Sequence, residues 1–189
     1  MATGFAPGLA EGLVLASLAA CLLSFYWGMY RFFVVPDRGN ARIGAVKWIG
    51  TGFGLASLAA IAGLGVASAA ACALALLTGL ASLLLFWWAI RTNRRQPLSF
   101  AFAGDLPRHL VREGPYRRIR HPFYAAYLLG WLVTPIATGE LLTLIPFTVM
   151  SLAYTAAARG EERQFDATPL RAEYARYRRE AGLFWPRCR

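Results

Sequence analysis

Two short stretches carry side chains whose types and spacing could do chemistry. One is Gly114-Pro115-Tyr116-Arg117-Arg118-Ile119-Arg120-His121-Pro122-Phe123-Tyr124, and the other is Glu161-Glu162. His121 precedes a proline, which biases its backbone toward extended geometry, and Pro122 suits the first position of a helix. A histidine at a helix entrance, beside N–H groups that lack intrahelical partners, lines an anion pocket whose natural occupant is a carboxylate. Glu161-Glu162 has the opposite character: two adjacent carboxylates that fit a cationic or hydroxyl-rich ligand, such as an amine plus a ribose. Salt bridges to Arg159 and Arg163 are an equally available use for this pair. Tyr116, Phe123 and Tyr124 offer ring faces for stacking or cation–π contact. Arg117 and Arg118 read as interfacial anchors with snorkelling stems, and Gly114-Pro115 as a turn. A carboxylate-binding wall facing an ammonium-binding wall suits a zwitterionic amino-acid moiety.

The elements that must position these residues are apolar. The chain has 189 residues, 57% of them hydrophobic and 16% charged, with a mean hydropathy of +0.43. The charges fall in three blocks, roughly 31–47, 91–120 and 159–189, separated by apolar runs. That layout predicts an all-α integral membrane helical bundle. The expected spans are Leu9–Tyr30, Trp48–Val66, Cys72–Ile90, Phe123–Thr138 and Leu141–Ala158. The last two form a short hairpin through Thr134-Pro135 and Gly139-Glu140. The fourth, at 16 residues, is short enough to tilt or to stop before the far face. Phe25, Tyr26, Trp27, Tyr30 and Phe86-Trp87-Trp88 form aromatic belts. Arg31, Arg38, Arg42 and Lys47, with Pro36 and Gly39, make the first loop. Arg91, Arg94, Arg95, Pro97, Gly104 and Pro107 belong to the second.

After the hairpin, Leu170, Tyr174, Tyr177 and Ala181 lie on one face of a helix. Thr168 is its expected N-cap, Pro169 its first residue and Gly182 its C-cap. This amphipathic helix either lies on the membrane or covers a cytosolic site. The chain is a single membrane domain, 1–189. Residues 1–90 hold three spans, and 91–189 hold the cytosolic segment, the hairpin and the terminal helix as the catalytic region. Every Lys and Arg falls in the three polar segments, so these are expected on the cytoplasmic side, with the N-terminus outside. The hairpin is antiparallel, so His121–Tyr124 and Arg159–Glu162 converge at one cytoplasmic mouth.

Other readings are weaker. The net charge of +10 follows from basic loops facing anionic lipid, and no soluble face carries a nucleic-acid patch. Cys21, Cys72 and Cys188 show neither a disulfide framework nor zinc spacing, so no metal is expected. Gly50-x-Gly52-x-Gly54 sits in a span without a preceding strand and reads as helix packing. Residues 1–8 have no Lys or Arg, and Glu11 stands where a basic leader region would be, so the first run reads as a span rather than a signal peptide. The spans hold almost no ionisable residue and no clear internal repeat, which disfavours a transporter.

Leu110-Val111-x-x-Gly114-Pro115-Tyr116-x-x-Ile119-Arg120-His121-Pro122-Phe123-Tyr124, an apolar hairpin and Glu161-Glu162 together resemble the isoprenylcysteine carboxyl methyltransferase family and the related phospholipid N-methyltransferases. Glu173-Tyr174-x-x-Tyr177 with Pro186 is similar to the C-terminal region of that family. The resemblance implies a multi-span methyltransferase that uses S-adenosylmethionine, with a lipophilic or small-molecule acceptor arriving from the bilayer. It makes His121, Tyr124, Glu161 and Glu162 cofactor-pocket residues, with Tyr116, Arg120 and Pro122 completing the motif. Arg120, His121 and Tyr124 are the expected catalytic residues. Ala125-Ala126, Gly160 and Gln164 depart from the common pattern, and these departures bear on acceptor shape. An activated sulfonium methyl needs mainly positioning. Without a clear base, a carboxylate or thiolate acceptor is favoured over an amine or a phenol; carboxyl O-methylation is the expected reaction, with a phospholipid amine or a small thiol or phenol as alternatives. A non-catalytic membrane scaffold or transporter is the reading from another class. The sequence is silent on oligomeric state.

Overall fold

The computed structural model describes residues 7–32, 41–94 and 109–187. Pro36, Arg38, Gly39, Arg95, Pro97, Gly104, Pro107 and Cys188, and the side chain of Arg42, lie outside the described residues. Among the described residues six α-helices run in order: α1 Pro7–Arg31, α2 Ala41–Leu64, α3 Ala69–Thr92, α4 Pro122–Thr138, α5 Leu144–Phe165 and α6 Arg171–Glu180. Short 3-10 turns at Gly114–Arg117 and Leu141–Thr143 precede α4 and α5. The fold is the all-α bundle that the composition dictates. Among the described residues four segments are long and apolar enough to cross a membrane: Gly8–Arg31, Gly44–Leu64, Ala69–Thr92 and Leu141–Phe165.

The fourth expected span, α4, is the centre of the bundle. Its 17 residues reach about 25 Å, less than a hydrocarbon core of about 30 Å. It makes up for this by being enclosed rather than long. It packs against α1, α2, α3 and α5, and most of its residues are buried, among them Ala125, Ala126, Gly130, Trp131, Val133 and Ala137. In a bilayer such packing comes from close van der Waals contact and interhelical hydrogen bonds, because lipid tails are as apolar as leucine. The close approaches are at Gly79 of α3, against Ser17 and Val133, and at Gly130 of α4, against Phe25. Ser82 Oγ of α3 donates to the Ala126 carbonyl at 2.8 Å. The glycine row of α2 contributes less than its sequence implied. Gly54 touches Leu22 and Gly50 comes near Met150, while a Cβ at Gly52 or Gly63 would meet open space.

Several boundaries differ from the expected ones. The first loop gives way to α2 already at Ala41, and Lys47 extends back so that its ammonium lies 5.4 Å from the Tyr30 ring centre. Snorkelling lets a helix carry a charge this far in. Ser68 caps α3 by accepting the Ala71 N–H at 3.1 Å. Gly139, at φ 71°, closes α4 in the left-handed geometry that glycine accepts without strain. α5 does not stop at Ala158. It continues for two turns to Phe165, so Glu161 and Glu162 are helical residues.

The C-terminal helix begins at Arg171 with Leu170 as its cap, not at Pro169. Thr168 instead forms a turn: its hydroxyl donates to the Phe165 carbonyl at 2.9 Å and accepts the Leu170 N–H at 3.2 Å. Tyr174, Tyr177 and Ala181 bury the expected face against Leu110 and Phe165. α6 packs on the end of α5, where Tyr174 stacks on Phe165 at 4.0 Å. Gly182 is no C-cap. It pairs in parallel with Ile119, an isolated bridge next to the His121 stretch.

Candidate functional site

The site lies where the N-terminus of α4 meets the C-terminal turns of α5. His121 holds the N-cap position with φ −125° and ψ 70°, and Pro122 is the first helical residue. This backbone, extended because proline follows, sends the imidazole toward α5. Adjacent residues on a helix point about 100° apart, so Glu161 and Glu162 straddle the ring. Nδ1 lies 3.4 Å from Glu161 Oε2, and Nε2 lies 3.3 Å from Glu162 Oε1. Tyr124, one turn into α4, donates its hydroxyl to Glu161 Oε1 at 2.6 Å. Its ring stacks on His121 at 5.7 Å and on Tyr154 of α5 at 5.2 Å.

Glu162 and Glu161 are not equivalent. The Glu162 side chain is 7% exposed and carries three basic partners: Arg120 Nε at 2.7 Å, His121 and Arg178 Nε at 3.7 Å. Arg120 in turn donates through Nη1 to the carbonyls of Ala181 and Arg178, so its fork is committed to its own chain. Glu161 keeps a third of its side chain exposed. Burial by itself would lower the His121 pKa, but the hydrogen bonds and charges of Glu161 and Glu162 outweigh it and raise the pKa above its ordinary value.

The structure therefore brings Arg120, His121, Pro122, Tyr124, Glu161 and Glu162 together. The expected basic and acidic walls have closed on each other, and the anion in the His121 pocket is the chain's own glutamate pair. Among the described residues the pair is not bridged to Arg159 or Arg163, both of which are exposed. Tyr116 plays another part. It is buried, its hydroxyl accepts from Asn93 Nδ2 at 2.9 Å and its carbonyl accepts from the Tyr177 hydroxyl at 2.6 Å. Its phenol pKa is raised by burial. Tyr116 is thus a pillar between α3 and α6, with its hydroxyl turned to Asn93 rather than to the acid pair. Phe123 packs on Phe86 at 5.6 Å in the bundle core instead of lining the mouth. Arg117 and Arg118 are exposed, as anchors should be.

Three residues at the site escaped the sequence reading. Tyr154 lies seven residues before Glu161, on the same face of α5, a periodicity that could have found it. Arg178 lies on α6, far off in sequence. Phe184 packs edge-on to both His121 and Tyr124, at 6.4 and 6.3 Å, and no local pattern marks it. Among the described residues no group of His, Cys, Asp and Glu could hold a metal ion.

The phospholipid methyltransferase family matches residues 68–168, from the start of α3 through the glutamate pair and more than half of the chain. No curated protein matches the chain. The chain belongs to the phospholipid methyltransferase family, and with it to the membrane methyltransferases.

Proposed function

We propose that this protein uses S-adenosylmethionine to methylate the carboxylate of a lipophilic or small acceptor at the cytoplasmic membrane face. The observation that carries this reading is the convergence of Arg120, His121 and Tyr124 with Glu161-Glu162 at the arginine-rich end of the hairpin. When bound, S-adenosylmethionine supplies a methyl group already activated for displacement. The residues present fit such a ligand. Glu161, with a third of its side chain exposed, is a carboxylate available to a cationic group, and the stacked faces of Tyr124 and Tyr154 suit a positive centre. Glu162 orients His121 and is itself held by Arg120, so these two act as the frame.

The carboxylate acceptor follows from proton accounting. Both ring nitrogens of His121 face carboxylates, Glu161 and Glu162, so neither is open to take a proton from an acceptor. A carboxylate has none to lose. Arg178, 56% exposed and touching Glu162 through Nε, is the guanidinium suited to orient an acceptor carboxylate. The second reading is N-methylation of a phospholipid amine, which the family's description favours. There Glu161 would take up the amine proton. Thiols and phenols need a base in the same way. The membrane orientation belongs to the same proposal: Lys and Arg lie in the segments on the site's side, which makes that side cytoplasmic and puts the N-terminus outside.

One experiment separates these readings. Membranes containing the protein are incubated with methyl-labelled S-adenosylmethionine, and the products are treated with base. Label released as volatile methanol identifies a methyl ester; base-stable label in lipid identifies an amine. Glu161→Gln should lower S-adenosylhomocysteine affinity about tenfold or more, as loss of a charged partner does. Membranes that transfer no label above the vector control, with purified protein that binds no S-adenosylhomocysteine, would leave a non-catalytic protein.

A further inference from the structure

The segment after α6 brings no charge and no acid–base group to the site, yet it touches Arg120, His121 and Tyr124. Gly182 N–H donates to the Arg118 carbonyl at 2.9 Å, Arg120 N–H to the Gly182 carbonyl at 2.8 Å, and His121 N–H to the Leu183 carbonyl at 3.1 Å. These three bonds satisfy the extended backbone that Pro122 imposes on the motif, which has no helical partners there. The carbonyl of Ala181 accepts from Arg120 Nη1. Phe184, 8% exposed, then enters the mouth beside Tyr124, Leu128, Ala157 and Ala158. The turn that delivers it is tight: a Cβ at Gly182 would collide with the Trp185 carbonyl oxygen. Arg187 ties the outgoing chain back to α6 by donating to the Arg179 carbonyl at 2.7 Å. The segment lies beyond the residues matched by the family.

We propose that this strap, Ala181–Trp185, is the positioning element of the site, and that Phe184 is the side chain through which it holds His121 and Tyr124 against the glutamate pair. Phe184 is a positioning residue: it acts through the two rings it contacts. The groups that face His121 from the packed elements are Tyr124 on α4, Glu161 and Glu162 on α5, and Phe184 on the strap. Arg120 and Arg178 reach it through Glu162. Removing the Phe184 ring frees the imidazole to swing away from the carboxylates. The binding consequence rests on the methyltransferase reading above; the ring geometry does not.

The chain has two histidines, so ring-labelled protein in detergent micelles reports His121 directly once His109→Gln removes the other signal. In wild type the His121 titration should lie above the ordinary value, as the two facing carboxylates raise it. Phe184→Ala should move it down toward that value and weaken S-adenosylhomocysteine binding about tenfold or more. Helix content should stay near wild type, while the melting midpoint falls as it does for a buried aromatic cut to alanine. Phe184→Leu, which keeps apolar volume, should recover most of both. Gly182→Ala should reproduce the Phe184→Ala shift through the backbone alone, and serves where Phe184→Ala does not fold. An unmoved His121 titration in both Phe184→Ala and Gly182→Ala overturns the proposal. If wild type shows the raised titration but binds no S-adenosylhomocysteine, the methyltransferase reading fails, and the strap is judged on the titration alone.

Discussion

His121 between Glu161 and Glu162 makes the site depend on one proton. A side chain whose pKa is raised by folding adds stability that is fully present below its unfolded value, about 6.5 for histidine. That contribution drains away as pH climbs through the raised folded value. Apparent melting temperatures in detergent should therefore fall as pH rises above the ordinary histidine range. His121→Gln should flatten that slope, and an equally steep slope in the variant would contradict the arrangement. Glu162 works at the same scale. Breaking a buried pair from one side costs about 3–5 kcal/mol because a charge is left buried alone. Arg120 would be that charge, so Glu162 belongs to the frame of the candidate site, and Glu161 is the more open of the two.

Two features of α4 and α5 decide the geometry. One is the fit of α4 among its neighbours, which depends on small residues. Gly79 faces Ser17 of α1 with no room for a Cβ, and overpacking of this kind costs about 1–3 kcal/mol. Gly79→Val should lower the midpoint of unfolding in detergent accordingly, and adding Ser17→Ala should restore part of the loss. Full additivity of the two changes would mean that the helices do not meet there. The other feature is the continuation of α5 past the apolar run. A helix holds Glu161 and Glu162 at a set angle on either side of a ring, which a loose loop would not do.

At the scale of the whole molecule, charge distribution and site coincide. Every Lys and Arg falls in the three polar sequence segments 31–47, 91–120 and 159–189, and the α4–α5 turn at Glu140 is at the end of the hairpin away from the candidate site. With the proposed orientation, Glu140→Cys should react with a membrane-impermeant maleimide added to whole cells, and Arg163→Cys should react only after the membrane is opened. Cys21 and Cys72 are buried and should stay silent with Cys188 replaced. Labelling in the reverse pattern would put the site on the outer face.

Much of this was legible in the residues themselves. Apolar run lengths, the clustering of charge and the Pro122 boundary determined an α-helical membrane bundle and put the candidate site at the hairpin's polar end, because hydropathy and proline geometry act locally. The two motif halves were also readable, since an antiparallel hairpin must bring its ends together. What only the tertiary structure decided is how each side chain is used. It made Tyr116 a pillar to Asn93, committed Arg120 to Glu162 and the α6 carbonyls, and left Glu161 the more open of two carboxylates that look alike in sequence. It also brought Phe184 and the strap onto His121. Those outcomes depend on which groups compete for one proton or one carbonyl at close range, and residues some sixty positions apart compete only after the chain has folded.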